Sequence, residues 1–335
     1  MNRQKIFAAA AVALAMGLFA GGAVQAAPGG KKVTIQINSS QSPGSVPVDG
    51  AYRLKELVEG KLGKDRVEIK VFPDGQLGSD TAILDGMRMG THDCLIVATP
   101  ITTVDPKFSL FDLPYLITSK KDFDLLTGGD IGKKLQKSIH EKGFTLVSYW
   151  PAGWRHVTNN TRPIVVPDDM KGMKIRVPSS PARVALFKMF GANPTPLAFG
   201  ELFSALQQKV VDGQENPVFV LTASSLMEVQ KYLSHTRHVI TQYYVLFTNS
   251  AWDGYPEDLR QALREASAQV ASESWDIDAK LSENTYKAIQ GKMQVNEVDM
   301  DAFTKAAMPI YGNPDFIRPI GQELMDEALK TLGRK

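Results

Sequence analysis

Cysteine is almost absent from this chain. A single residue, Cys94, stands among 335, so no internal disulfide is possible and stability must come from burial. Within Cys94-Leu95-Ile96-Val97 that thiol reads as a small buried apolar side chain. Basic runs are missing too. Setting aside Arg3 and Lys5, which fall in the leader described below, leaves 36 basic residues against 36 acidic ones, so nothing points to nucleic acid. The sequence also lacks a G-x-S-x-G elbow, H-E-x-x-H, G-x-x-x-x-G-K-[ST] and G-x-G-x-x-G, the arrangements hydrolases, zincins and nucleotide enzymes need. His235 and His238 lie three apart with no cysteine or carboxylate cluster to join them, so neither a metal site nor a cofactor is expected. Glu201, Asp212 and Glu215 read as a helix start, a turn and a loop hydrogen-bonding residue, not as an acid/base set.

What is present begins with a leader. Arg3 and Lys5 give a basic start, Ile6 to Ala20 an apolar core, and Val24-Gln25-Ala26 a small-residue cleavage site, so residues 1–26 read as a secretory signal. The apolar core is shorter than the ~20 residues a spanning helix needs. No lipid-attachment cysteine follows it, and a soluble exported protein that does not itself span the membrane is expected.

The chain is organised around Lys171 to Pro217. Met173, Ile175 and Val177 alternate with Lys174 and Arg176, the period of a half-buried strand. Pro178 ends the ladder and leaves Arg176 at the strand's carboxyl end. Ser179 and Ser180 supply N-cap oxygens, Pro181 suits a first helical turn, and a helix should run to Phe190 before Gly191. Ligands of open α/β sheets bind at such strand ends, and an arginine beside helix-start amides makes an anion site. The same geometry repeats: an extended run at 193–199, a helix from Glu201 to Lys209, then a strand-like segment closing at Asn216-Pro217. By pattern alone Arg176 is equally a ligand group or a solvated or salt-bridged surface residue, and Asn216 is more often a turn former than a ligand group.

Upstream, strands at 33–37, 67–72 and 94–97 alternate with helices at 51–59 and after Gly78-Ser79-Asp80, a βαβαβ order that implies a parallel sheet. A helical region spans 122–140 and a strand 145–150. The alternating segment 153–159 then carries the chain into a second lobe. A helix is expected over 222–232 and a strand over 239–247, where Tyr243 and Tyr244 point to opposite sides. No glycine or proline interrupts the chain between Pro256 and Gly291. The resulting helix of ~50 Å is long enough to brace two lobes. The remaining residues should form shorter helices against the second lobe. The boundaries that follow are 32–152 with 242–281 for lobe I, and 153–241 with 282–335 for lobe II.

The runs PDDMKGMKIRVPSSP and GANPTPLAFGELFSALQQKVVDGQENP, with VEIKVFPDGQLGSD, FSLFDLPYLI, GWRHVTNNTRPI and YLSHTRHVI, resemble the solute-binding proteins of tripartite ATP-independent periplasmic (TRAP) transporters. The likeness covers most of the chain after the leader. It implies an α/β fold of two lobes, each a mostly parallel sheet flanked by helices, with a long helix bridging both. It also implies a periplasmic protein that captures a small organic acid and hands it to a membrane permease driven by an ion gradient. Arg176 would clamp the carboxylate and Asn216 and Arg155 assist, with Asn38 and Asp80 approaching the ligand or its water shell. Phe199, Tyr244 and Trp154 complete the expected lining. Each has a plainer alternative: a strand-end turn for Asn38, a helix cap for Asp80, an exposed strand residue for Arg155 and core packing for Trp154. Relatives that bind sialic acid carry a glutamate after the third strand, where this chain has Ala98-Thr99. Asn38, Ser39, Asp80, His156 and Asn216 suit a hydroxylated acid, so a sugar acid such as a uronate is expected, with a C4-dicarboxylate or short hydroxy or keto acid as rival. A periplasmic enzyme and a binding protein of an ATP-driven importer are the alternatives of other classes.

Overall fold

The computed structural model describes residues 32–334, so the expected leader lies outside the described residues. The chain opens with β1 (Val33–Asn38), α1 (Val46–Leu62), β2 (Val67–Phe72), α2 (Asp80–Arg88) and β3 (Cys94–Val97). Two 3-10 segments, Thr99–Thr103 and Pro106–Asp112, lead to α3 (Lys120–Gly128) and α4 (Asp130–His140). The helical region expected over 122–140 is therefore two helices. Gly129 stands extended between them, φ −89° and ψ −160°, ending one and starting the other.

A single strand, β4 (Phe144–Asn159), replaces the two pieces expected there. At 16 residues it is roughly 50 Å long. Beyond it come β5 (Lys174–Val177), α5 (Pro181–Met189), β6 (Asn193–Pro196), α6 (Leu202–Gln207), β7 (Gly213–Pro217), α7 (Val220–Ala223) and β8 (Tyr232–Ser234). The helix expected over 222–232 does not form. Ser225 takes φ +53°, which no helix continues through, and the chain becomes a 3-10 turn and then β8. β9 (Ile240–Thr248) returns beside β4. It is followed by α8 (Asn249–Gly254), α9 (Glu257–Ile289), β10 (Gln294–Asn296), α10 (Met300–Ala307), α11 (Pro314–Ile320) and α12 (Gln322–Thr331). α10 packs on α5, whereas α12 reaches back to α3 and α4 and so is not confined to the second lobe.

Hydrogen bonding orders the strands β2-β1-β3-β9-β4-β7-β5-β6, with β8 on β4 and β10 on β8. β1 pairs parallel with β2 and β3, and β5 parallel with β6 and β7, the mostly parallel sheets expected of a two-lobed α/β fold. β4 belongs to both sheets. Phe144 to Trp154 pair with β9, and Arg155 to Asn159 with β7. Its register on β9 slips between Pro151 and Trp154, where Gly153 adopts φ +75°. That φ favours glycine, and a Cβ there would stand 2.6 Å from Asp278 Oδ1 on α9 and displace its carboxylate.

Apolar side chains separate by sheet face. Leu95, Val97, Tyr244 and Leu246 join one cluster with Ile175, Val177 and Phe187. Cys94, Ile96, Tyr243, Val245 and Phe247 join the other with Phe219 and Leu233. Each cluster runs through both lobes, because alternate residues of β3 and β9 feed opposite faces. α9 packs on β4, α1 and α7, bridging the lobes as the long uninterrupted stretch predicts. No helix among the described residues is long and apolar enough to cross a membrane.

Candidate functional site

β5 ends at Val177 because Pro178 cannot donate to the ladder, and Ser180 caps α5, its Oγ accepting from the Arg183 amide at 3.3 Å. That turn places Arg176, Pro178 and Ser179 on the wall of a cavity that also takes Ser79, Asp80, Thr81, Thr99, Arg155, Phe199, Asn216 and Tyr243. Its empty volume is about 580 Å³, part of it open to solvent.

Arg176 is buried, 3% exposed, yet forms no salt bridge among the described residues. Nε and Nη2 both donate to the Leu197 carbonyl, at 3.0 and 2.7 Å, and the Phe199 ring lies 5.9 Å from Cζ. The carbonyl fixes one edge of the fork and leaves Nη1 without an acceptor among the described residues. Burial pulls its pKa down to about 10, with Glu215 opposing that and Arg155 adding to it, so it stays cationic at neutral pH. A desolvated cation without an anionic partner is what an anionic ligand completes.

Arg155, on β4 where that strand changes sheets, is differently placed. Its Nε and Nη2 bond the Glu215 carboxylate, Nη2 also reaches Asn216 Oδ1 at 2.9 Å, and Nη1 donates to Thr241 Oγ1 at 3.0 Å. It is a buried ion pair and not an exposed strand residue. Glu215, read from sequence as a loop residue, is the hub. Its Oε2 also receives Arg183 Nη1 at 3.0 Å and His238 Nε2 at 2.9 Å. Burial alone would raise the Glu215 pKa, but Arg155 and Arg183 outweigh it and hold the carboxyl well below its ordinary range. An ionised Glu215 accepts only, so His238 Nε2 donates and its Nδ1 accepts from Thr236 Oγ1, 2.9 Å away. Burial lowers the His238 pKa to about 4, so the ring is neutral. Arg183 continues the chain to Asp112 at 3.2 Å, and Ser180 Oγ donates to the same carboxylate at 2.6 Å.

Asn216 has both ends of its amide engaged: Oδ1 accepts from Arg155, and Nδ2 donates to Gln214 Oε1. One amide hydrogen remains for the cavity. Asp80 opens α2, but the helix cap is Ser79, whose Oγ accepts from the Ala82 amide at 3.3 Å. Asp80 is thereby free of the cap role.

Three expected lining residues lie elsewhere. Tyr244 faces the apolar cluster, 5.0 Å from the Phe108 ring, and its hydroxyl accepts from Gln242. Strand alternation gives the cavity to Tyr243 instead. Trp154 packs on Trp275 of α9 at 5.7 Å, in keeping with core packing. Asn38 donates to the Cys94 carbonyl at 2.9 Å and ties β1 to β3. His156 lies against His235, ring centroids 5.0 Å apart, away from the cavity wall. His235 and His238 face different partners, Glu297 with Tyr286 and Glu215 with Thr236. Tyr243, Ser79, Thr81 and Thr99 are lining residues that sequence reasoning did not select. Alternation already exposed the choice at Tyr243, but nothing in the pattern marked the others.

Comparison with known proteins identifies the family. A family model described as bacterial extracellular solute-binding protein, family 7, matches residues 37–314. The 2,3-diketo-L-gulonate-binding periplasmic protein YiaO of Escherichia coli (strain K12) is 35% identical over 266 residues, 78% of this chain and 80% of that protein. The C4-dicarboxylate-binding periplasmic protein DctP of Rhodobacter capsulatus is 30% identical over 279 residues, 82% of this chain and 83% of that one. The sugar acid binding protein DctPAm from Advenella mimigardefordensis, solved in complex with galactonate, superposes with a TM-score of 0.86 at 29% identity, covering 91% of this chain and 99% of that chain.

Proposed function

Since this chain belongs to the bacterial extracellular solute-binding proteins of family 7, the TRAP periplasmic binders, we propose that it captures a sugar acid by its carboxylate and delivers it to a TRAP permease. The observation that carries the reading is Arg176, buried in the cavity wall, held by a carbonyl and left without an acid. The ligand carboxylate takes the free edge of that fork, an arrangement a lysine ammonium does not reproduce. Asn216 and the remaining Arg155 N–H fix its other lone pairs, and Ser79, Thr99 and Tyr243 offer polar contacts to ligand hydroxyls.

Because Asp80 at the start of α2 and Tyr243 on β9 come from one lobe and Arg176 on β5 and Asn216 on β7 from the other, the ligand makes all its contacts only when the lobes close on it. Binding therefore favours the closed form, which the permease would recognise. The protein works outside the inner membrane as a carrier and performs no chemistry on its cargo. A C4-dicarboxylate is the second reading, because the relative from Rhodobacter capsulatus carries that ligand class in its name.

A thermal-shift screen over aldonates, uronates and dicarboxylates tests the proposal, followed by calorimetry on the hits. A ligand at 100 times its Kd stabilises by about 2.7 kcal/mol. If no organic acid shifts the transition, the proposal is wrong.

A further inference from the structure

Among the described residues the sheet ends at three strands, β2, β6 and β10. An end strand offers a row of outward amides and carbonyls to any chain that can pair with it. β10 has only three residues. At β6 the amides of Asn193 and of Leu197 just beyond it donate inward to β5, so the outward positions fall on Pro194 and Pro196, which have no amide to offer. β2 is different. Val67–Phe72 is six residues long, holds neither glycine nor proline, and alternates Val67, Ile69 and Val71 with one acid and one base.

The Val33 amide donates to the Arg66 carbonyl and the Ser39 amide to that of Phe72. The even-numbered residues of β2 therefore serve β1, and Val67, Ile69 and Val71 turn their backbone groups to the free edge. At the middle of that edge two side chains of α1 stand where a neighbouring strand would be. Glu59 Oε1 accepts from the Ile69 amide at 2.8 Å, and Lys55 Nζ donates to the Ile69 carbonyl at 2.7 Å. They lie one helical turn apart and 3.6 Å from each other, supplying one acceptor and one donor as a partner residue would. Glu59 is buried in doing so, 6% exposed. The Val67 amide is taken by the Gly63 carbonyl at 3.2 Å, while no side chain among the described residues takes the backbone of Val71.

The strand so covered is complementary to itself. An antiparallel copy on a two-fold axis at Ile69 sets Ile69 against Ile69, Val67 against Val71 and Glu68 against Lys70. The outward backbone groups then find partners across the axis, and each charge meets its opposite. In the single chain Glu68 pairs with the exposed Lys32, 3.4 Å away.

We propose that Lys55 and Glu59 form a plug that keeps the β2 edge from pairing with a second copy of this chain, so that β2 is a latent two-fold interface held shut from within. The single chain is then the working form, and the assembly it avoids is one sheet running through β2 of two molecules. The inference needs no ligand and stands apart from the carboxylate clamp.

Sedimentation of the folded protein tests this. The wild type should stay monomeric from micromolar to near-millimolar concentration. Lys55→Met combined with Glu59→Met keeps the apolar stems and removes the donor and the acceptor. The mass of that variant should rise with concentration toward about twice that of the monomer. Adding Val71→Pro deletes an outward amide that β1 does not use and should return the variant to monomer. Adding Lys70→Glu instead should do the same by setting like charges against each other. A folded double variant that stays monomeric, or whose association ignores both additions, overturns the proposal, and so does a wild type that already dimerises through this edge. Hydrogen exchange in the wild type decides the matter even if the double variant does not fold. The Ile69 amide should exchange at least tens-fold more slowly than the Val71 amide on the same edge, and equal rates overturn the plug.

Discussion

Replacing Arg176 by methionine separates binding from stability, because the structure assigns this residue opposite signs in the two. In the empty protein the guanidinium is desolvated, with its pKa drawn down to about 10, chiefly by burial. The folded state then disfavours the cation by at most about 3 kcal/mol. Against that stand two hydrogen bonds to Leu197 O, each worth about 1 kcal/mol, and the contact with Phe199. Methionine keeps most of the apolar stem, so Arg176→Met should leave the ligand-free protein as stable as the wild type or about 1 kcal/mol more stable. Binding should move the other way. Loss of a buried, hydrogen-bonded charge partner costs about 2–5 kcal/mol, roughly thirty- to several-thousand-fold in affinity. Denaturant melts without ligand, followed by calorimetry with the acid found by the screen, read both quantities. A ligand-free variant destabilised by several kcal/mol would mean that Arg176 is a structural residue, and unchanged affinity would remove it from the clamp.

Asp80→Asn should stabilise the ligand-free protein at pH 8 by about 1–3 kcal/mol and leave it unchanged near pH 4. The sign follows from a folded pKa of about 6 lying above the ordinary 3.8, so the cost of the charge is absent below the unfolded value and complete above the folded one. Thermal melts at the two pH values check it. Glu215→Gln strands Arg155 and Arg183 in the interior and should cost about 3–5 kcal/mol by denaturant unfolding. The wild type should lose the Glu215 contribution only as pH falls below the ordinary carboxylate range, since its folded pKa is depressed. Buried neutral His238 works in the same direction, its contribution being complete above about pH 6.5 and lost as pH falls toward about 4. Gly153→Ala must bring a methyl group against the Asp278 carboxylate at φ +75° and should cost more than about 1 kcal/mol in the same assay.

Local elements were legible where period and punctuation agreed. The strands at 67–72 and 94–97 stand where alternation and apolar runs put them, and Pro256 and Gly291 flank α9 as punctuation predicts. The strand-turn-helix at Arg176 to Pro181 was readable from Pro178, Ser180 and Pro181 because each acts on its own few residues of backbone. What stayed hidden depends on partners distant in sequence. Glu215 lies 60 residues from Arg155, and no local pattern tells a buried counter-ion from a loop acid. The continuity of β4 was hidden by Pro151 and Gly153, which read as breaks and are accommodated as a register slip on β9. Tyr243 and Tyr244 could be assigned to opposite faces, but not to cavity or core, without knowing which face the sheet presents.

Because β4 is threaded through both sheets and β9 runs alongside it up to the switch, neither half of this molecule should fold as a separable piece. Cutting the gene at residue 152 would leave β9 in the second fragment, parted from β3 and from the Phe144–Pro151 stretch of β4 in the first. The lobes should therefore melt in one cooperative step. The closure proposed above would then be a twist within a continuous ribbon, concentrated at the slip beside Gly153 where the ladder is already irregular.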